Sequence, residues 1–249
     1  MRRSVLYMPL IFSTGMKAPA REKTAAKAFA VIFDLDGVIV DNMGYHKKAW
    51  EIFIKKYNPG LAIEDFSRHF GRTNKDLIPL VFGRELSAAD VAVYGEEKEA
   101  LYRRLYAEHI VPLPGLLNFL RELKEKHVRA AIATSAPKKN LDLVLDGLEI
   151  RPWFDALVDA SEVEKGKPDP EIYLKAAQKA GQPPELCIVF EDSRAGIQAG
   201  LNAGMRVVGV ATTLPPEKLN GTHLVIRDFR EITVARLERL KDVLKLSGF

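Results

Sequence analysis

The sequence predicts an α/β fold: a doubly wound parallel sheet with an all-helical block inserted after its first strand. Three observations carry this expectation. From Gly115 onward, short β-branched runs alternate with amphipathic helical stretches, the pattern of successive βαβ units. Four of the predicted strands end in carboxylates, hydroxyls or a nearby lysine, and in open parallel sheets ligands bind at such carboxyl ends. Between Asn42 and His109 apolar residues recur at helical spacing and no strand-like alternation occurs.

The first strand is expected at residues 30–33, a short apolar run flanked by alanine. It opens the stretch VIFDLDGVIVD, residues 31–41, around which the chain is organised. In an extended backbone, side chains two apart point the same way, so Asp34 and Asp36 are expected to share a pocket. Two crowded carboxylates are tolerable beside a divalent cation, or if one keeps a proton. Both arrangements suit phosphoryl transfer, and the alternative is an Asp-Gly turn closing the strand. Helices follow at 45–57, 63–70, 75–82 and 87–109, the last with Ser87 as N-cap. Pro59-Gly60 separates the first two, and Pro112 and Pro114-Gly115 end the block. Beyond it the expected elements are helix 116–126, strand 129–133, helix 138–148 and strand 156–158. Helix 170–180, with Pro170 at its start, leads to strand 186–190. Helix 194–203, closed by Gly204, leads to strand 206–210, and strand 223–226 precedes helix 231–246. This divides the chain into a leader (1–27), an α/β core (28–42 and 113–249) and a helical domain (43–112).

Charge distribution excludes one class of partner. Residues 1–27 carry six basic groups and one acid, a net of +5 against +4 for all 249 residues, which leaves the body at −1. A near-neutral body gives no support for nucleic-acid binding. Hydrophobic content of 47% and charged content of 28% are those of a soluble globular protein, and no apolar stretch has the length of a membrane span. Cys187, the single cysteine, sits in the run LCIVF as a small hydrophobe and excludes an intrachain disulfide. The N-terminus, with Arg2-Arg3, an apolar run broken by Pro9 and small residues near Ala20, has features of a signal peptide. The reading preferred is a disordered leader or an upstream start, with Met16 as the true start and a cytoplasmic, monomeric protein.

Three further strand ends carry chemistry. Thr134 and Ser135 follow Ala131-Ile132-Ala133, where a hydroxyl can donate to a phosphate oxygen or cap a helix. Lys167 stands in the Pro-bracketed segment KGKPDP as a fixed positive charge or as a solvated surface lysine. Glu191 and Asp192 close the run IVF, with Ser193 opening a helix. A parallel sheet gathers these four ends at one edge.

The stretches FDLDGVIVD, IATSA, KGKPDPEIY and VFEDSRAGIQA, in this order, resemble the haloacid dehalogenase (HAD) superfamily in its phosphatase and β-phosphoglucomutase-like branch. The resemblance covers nearly all of the chain beyond the leader. It implies a Rossmann-like core with a helical cap inserted after strand one, acting on a small phosphorylated metabolite with Mg²⁺. It makes Asp34 the nucleophile that forms an aspartyl-phosphate, and Asp36 the general acid/base. Thr134, with Ser135 beside it, binds the transferring phosphoryl group, and Lys167 pairs with nucleophile and phosphate. Asp192 ligates Mg²⁺ with Asp34 and the backbone carbonyl of Asp36, and Glu191 supports that site. Asp36 favours phosphate over halide substrates, since halide needs no protonated leaving group. In the cap, His46 and Lys98 match residues of β-phosphoglucomutase. Asn74 stands where that enzyme has the arginine holding a second phosphate, with Arg72 or Lys75 as the nearest substitutes. A mutase must hold a bisphosphate by both ends. The expectation is therefore a phosphatase of a sugar phosphate, with a phosphosugar mutase second and a receiver-like phospho-Asp signalling domain a distant third.

Overall fold

The computed structural model describes residues 29–242, so expectations for the leader and for residues 243–249 lie outside the described residues. Six strands form one parallel sheet: β1 (Ala30–Phe33), β2 (Arg129–Ala133), β3 (Ala156–Val158), β4 (Cys187–Glu191), β5 (Arg206–Val210) and β6 (Leu224–Ile226). Their order is β3-β2-β1-β4-β5-β6, with Phe33 level with Ile132 on one side and Phe190 on the other. The winding reverses between β1 and β4, which opens a crevice at their carboxyl ends.

Both faces of the sheet are covered. Residues of β1 alternate, with Val31 and Phe33 in one apolar layer and Ala30 and Ile32 in the other. The first layer packs against α5 (Leu116–Glu125), α6 (Lys138–Gly147) and α9 (Val234–Asp242). Phe33 stacks on Phe190 at 5.3 Å and meets Phe119 edge-on at 6.2 Å. The second layer packs against α7 (Glu171–Ala180) and α8 (Arg194–Asn202). Burial on both faces explains why the strands read as continuous apolar runs.

The insertion after β1 is helical, as expected: α1 (Met43–Tyr57), α2 (Ile63–Phe66), α3 (Asn74–Phe82) and α4 (Ala88–Tyr106). Trp50, Phe53, Phe66, Leu77, Ile78 and Val81 give this cap its own apolar cluster. Its two connections to the core are stitched together, Leu113 N–H donating to the Ile39 carbonyl (2.9 Å) and Val40 bridging Pro112.

Element boundaries moved where local hydrogen bonding decided them. The expected helix 63–70 ends at Phe66 and finishes as a 3₁₀ turn, and helix 87–109 also tightens to 3₁₀ after Tyr106. Ser87 caps it as predicted, accepting from Asp90 N–H (3.1 Å). Strand 186–190 shifts by one residue, because Pro183-Pro184 start a 3₁₀ turn that takes Leu186. The last helix starts at Val234 instead of Glu231, since Asp228 accepts from Arg230 N–H (2.9 Å) and closes a separate 3₁₀ turn there.

Candidate active site

The four polar strand ends meet at the crevice. Asp34 follows β1, Thr134 follows β2, Lys167 lies in the loop between β3 and α7, and Glu191 ends β4 with Asp192 next. Lys167 is buried and donates to Asp34 Oδ1 (2.9 Å) and to Glu191 Oε1 (2.6 Å). Its peptide bond to Pro168 is cis. Burial opposes the Lys167 charge, but Asp34 and Glu191 outweigh it and raise the ammonium's pKa further. Asp34 is pushed up to about 7, first by burial and then by Glu191 and Asp36, against the pull of Lys167. Asp192 is driven well above the usual carboxylate range by burial and by the neighbouring Glu191 and Asp34.

Glu191 is held on every side by donors. Its Oε1 accepts from Lys167 and from the Tyr173 hydroxyl (2.8 Å). Its Oε2 accepts from Asp192 N–H, Ser193 N–H and the Ser193 hydroxyl, each at 3.0 Å. Ser193 caps α8 by accepting from Gly196 N–H (3.0 Å). Asp192 instead turns one oxygen to the hydroxyl of Thr213, just beyond β5.

Ligand oxygens of Asp34, Glu191 and Asp192 lie within 4.8 Å of one another, the one such buried acidic cluster among the described residues. Three buried carboxylates share a single ammonium, and the all-oxygen donor set is that of a hard divalent cation. The residues therefore fit a metal, Asp34 and Asp192 having more room to bind it than Glu191. Gly37, at φ +76°, leaves this corner free: a Cβ there would overlap the Asp192 carboxylate.

Asp36 has a different environment. It accepts from Asn42 Nδ2 (2.6 Å) and faces His46 Nε2 at 3.5 Å. Burial alone would raise its pKa, but the His46 charge and hydrogen bond, then Asn42 and Lys98, hold it below the usual value. His46 stacks on Tyr102 at 3.7 Å, and its Nδ1 lies 3.0 Å from Lys98 Nζ. Lys98 also donates to Glu99 (2.9 Å) and sits 4.7 Å from the centre of the Trp50 ring. Glu99 accepts in addition from Asn74 (3.0 Å) and from Asn140 of α6 (2.6 Å).

One cavity of about 490 Å³ joins these groups, a volume in the range of small-molecule sites. Asp34, Asp36, Thr134, Ser135, Asp192, His46, Arg72, Asn74 and Lys98 all line it. Thr134 Oγ1 accepts from Ala136 N–H (3.0 Å), which leaves its proton for another acceptor. The Ser135 hydroxyl donates to the Gly71 carbonyl of the cap (2.9 Å). Lys75, one of two substitutes considered for the missing cap arginine, is not in the lining; its amine reaches the Val163 carbonyl (3.4 Å). The polar ends of His46, Lys98 and Asn74 address Asp36 and Glu99. Asn42, Glu99, Tyr173, Thr213 and Arg194 were not singled out from the sequence. Thr213 had a readable signal, a hydroxyl just past a predicted strand end. Tyr173 and Arg194 lay within quoted stretches, and Asn42 and Glu99 had no signal beyond the polar residue itself.

Fold and site together define a cap-bearing α/β phosphotransfer enzyme with a carboxylate at the end of its first strand. Residues 30–204 match the model of the haloacid dehalogenase-like hydrolases, and the chain belongs to that family, in its phosphatase and β-phosphoglucomutase-like branch. It is 33% identical to a β-phosphoglucomutase of Bacillus subtilis over 219 residues, 84% of this chain and 93% of that one. It is 32% identical to hexitol phosphatase A of Escherichia coli over 209 residues, 82% and 93% of the two chains. Among solved structures it superposes on a family IA, variant 3 HAD hydrolase of Entamoeba histolytica with a TM-score of 0.79. That pair shares 34% identity over 86% of this chain and 99% of the other. No described helix is long and apolar enough to cross a membrane.

Proposed function

We propose that this hydrolase is a phosphatase of a small phosphorylated metabolite, a sugar phosphate by preference, working through an aspartyl-phosphate on Asp34. The observation that carries the reading is the Asp34–Lys167 contact, 2.9 Å, at the floor of a cavity that also presents Thr134, Asp36 and Asp192. Lys167 neutralises charge as the Asp34 carboxylate attacks phosphorus, and Thr134 donates its free proton to a phosphoryl oxygen. Asp36 delivers a proton to the leaving alkoxide, then takes one from the water that cleaves the acyl phosphate. Asn42 and His46 orient it for both steps. Asp34 and Asp192, with the Asp36 carbonyl, would hold Mg²⁺, and Glu191 would fix Lys167 beside them. Bound there, the ion would neutralise phosphate charge and favour the ionised Asp34.

Hydrolysis is preferred over the mutase reaction because Asn74, in place of the mutase's cap arginine, is committed to Glu99. The mutase remains the second reading, favoured by the similarity to the B. subtilis enzyme. The deciding assay supplies β-glucose 1-phosphate, Mg²⁺ and catalytic glucose 1,6-bisphosphate and reads free phosphate and glucose 6-phosphate. Dominant phosphate release supports the phosphatase; glucose 6-phosphate without release makes the protein a mutase.

A further inference from the structure

Core helix α6 grips cap helix α4 through two consecutive side chains. Lys139 Nζ donates to Glu96 Oε1 (2.8 Å). Asn140, fully buried, donates to Glu99 Oε2 (2.6 Å) and accepts from Arg103 Nη1 (2.9 Å). Glu96, Glu99 and Arg103 stand three and four residues apart, on one face of α4. The Asn140 amide has one workable orientation. Reversed, its NH2 would meet the Arg103 guanidinium and its oxygen the Glu99 carboxylate. An aspartate there would keep the acceptor for Arg103 and lose the donor to Glu99, and a leucine would lose both bonds.

From Asn140 a chain of contacts runs through the cap to Asp36. Glu99 is buried, and its Oε1 accepts from both Lys98 and Asn74. Its Oε2 has Asn140 as its partner among the described residues, so that bond fixes the rotation of the carboxylate. Lys98 Nζ lies 3.0 Å from His46 Nδ1, and His46 Nε2 faces Asp36 Oδ2 at 3.5 Å. The middle members, Glu99, Lys98 and His46, belong to the cap, and the two ends, Asn140 and Asp36, to the core. The chain is therefore closed only with the cap seated. Without Asn140 a buried carboxylate oxygen has no donor, which costs more than the bond itself is worth. Glu99 relieves that cost by turning Oε2 toward Lys98, and an ammonium drawn that way leaves His46. The neighbouring Lys139–Glu96 pair is exposed and does not reach Glu99.

We infer that Asn140 is a positioning residue for Asp36: from the core it fixes Glu99, and through Lys98 and His46 it holds Asp36 in the orientation that delivers a proton to the leaving group. This rests on the phosphatase reading, in which Asp36 is the acid, and deepens it. Asn140 does not line the cavity and touches none of the reacting groups. Its contribution is largest where the leaving group needs the proton most.

The test uses the full chain with Mg²⁺ and two probes, phenyl phosphate and 4-nitrophenyl phosphate, the second having the leaving group that needs a proton less. Asn140→Asp and Asn140→Leu should each lower kcat about tenfold on phenyl phosphate and only about twofold on 4-nitrophenyl phosphate, with KM changed less. Lys139→Ala should leave both rates within about twofold of wild type. Circular dichroism checks each fold, and the aspartate variant carries the test if the leucine variant does not fold. Separately, nitrogen NMR spectra of the histidine rings, with His46 assigned by its loss in His46→Asn, should show the His46 signals moved by both Asn140 variants and left in place by Lys139→Ala. Equal loss on the two esters, no loss on either, or unmoved His46 signals overturns the inference, and hydrolysis by the wild type then leaves the phosphatase standing alone. Moved His46 signals in a protein that hydrolyses neither ester would keep the chain from Asn140 to His46 and sink the phosphatase.

Discussion

Replacing Glu191 with Gln tests the core of the site, because the swap preserves shape while removing the charge that faces Lys167 and turning one acceptor into a donor. Every recorded partner of the buried Glu191 carboxylate is a donor: Lys167, Tyr173, two backbone N–H groups and the Ser193 hydroxyl. A glutamine amide nitrogen must face one set or the other. Turned toward Oε1's partners it confronts the Lys167 ammonium, which cannot accept. Turned the other way it confronts the N–H groups of Asp192 and Ser193, which cannot accept either. Hydroxyl rotation rescues only Tyr173 or Ser193. One charge-assisted bond is lost, about 1.5–3 kcal/mol, and breaking a buried ion pair costs about 3–5 kcal/mol. Asp34 still partners Lys167, so the lower end applies, and Glu191→Gln should destabilise the protein by about 3 kcal/mol. Urea unfolding followed by circular dichroism should show this as a midpoint lowered by about 1 M. A midpoint within about 0.2 M of wild type would refute the donor-saturated picture of Glu191.

Asp34→Asn should bring phosphate release down to background with an unchanged circular dichroism spectrum, since Oδ1 can still accept from Lys167; retained turnover would remove Asp34 as nucleophile. Cys187 is buried, its thiol pushed up to about 12 by burial first and then Glu185, so a thiol reagent should label none of it in the native protein and one group per chain after denaturation. Glu99 is held below 4.5: burial would raise it, but Lys98, His46 and Asn140 prevail. A depressed folded pKa stabilises above the unfolded value and that contribution is lost as pH falls through the folded one, so Glu99→Gln should lose less stability than wild type on acidification below about pH 4.5, measured by urea unfolding across pH.

The sheet was legible because its strands are buried on both faces and read as compact apolar runs. Strands 30–33, 129–133, 156–158 and 206–210 fall where they were expected. Boundaries slipped where a side chain or proline set the local hydrogen bonding, as at Asp228 and Pro183. The core constellation was legible for a related reason. A parallel sheet places successive strand ends at one edge, so a rule about sequence becomes a rule about space. The same rule reaches Thr213, past β5. Cap chemistry follows no such rule. His46, Asn74 and Lys98 project from helices whose rotation about their own axes is set by packing, and Trp50 and Tyr102 decide where their polar ends go. Asn140 could not be found at all, since its role depends on α4 docking against α6.

This division has a mechanistic counterpart. The groups that handle charge at Asp34, namely Lys167, Glu191, Tyr173 and Asp192, come from the core and interlock through hydrogen bonds of 2.6–3.0 Å. The groups that serve Asp36 come from the hinge and the cap: Asn42 immediately before α1, His46 on α1, and Tyr102, whose hydroxyl accepts from Asn42 (2.6 Å). Under the proposed mechanism, the attack of Asp34 on phosphorus draws on parts that need not move. Proton delivery through Asp36 draws on parts that move with the cap. A displaced cap would then leave the nucleophile in place but strip the acid of its orienting partners, so an open enzyme would hold its reactive carboxylate without completing turnover.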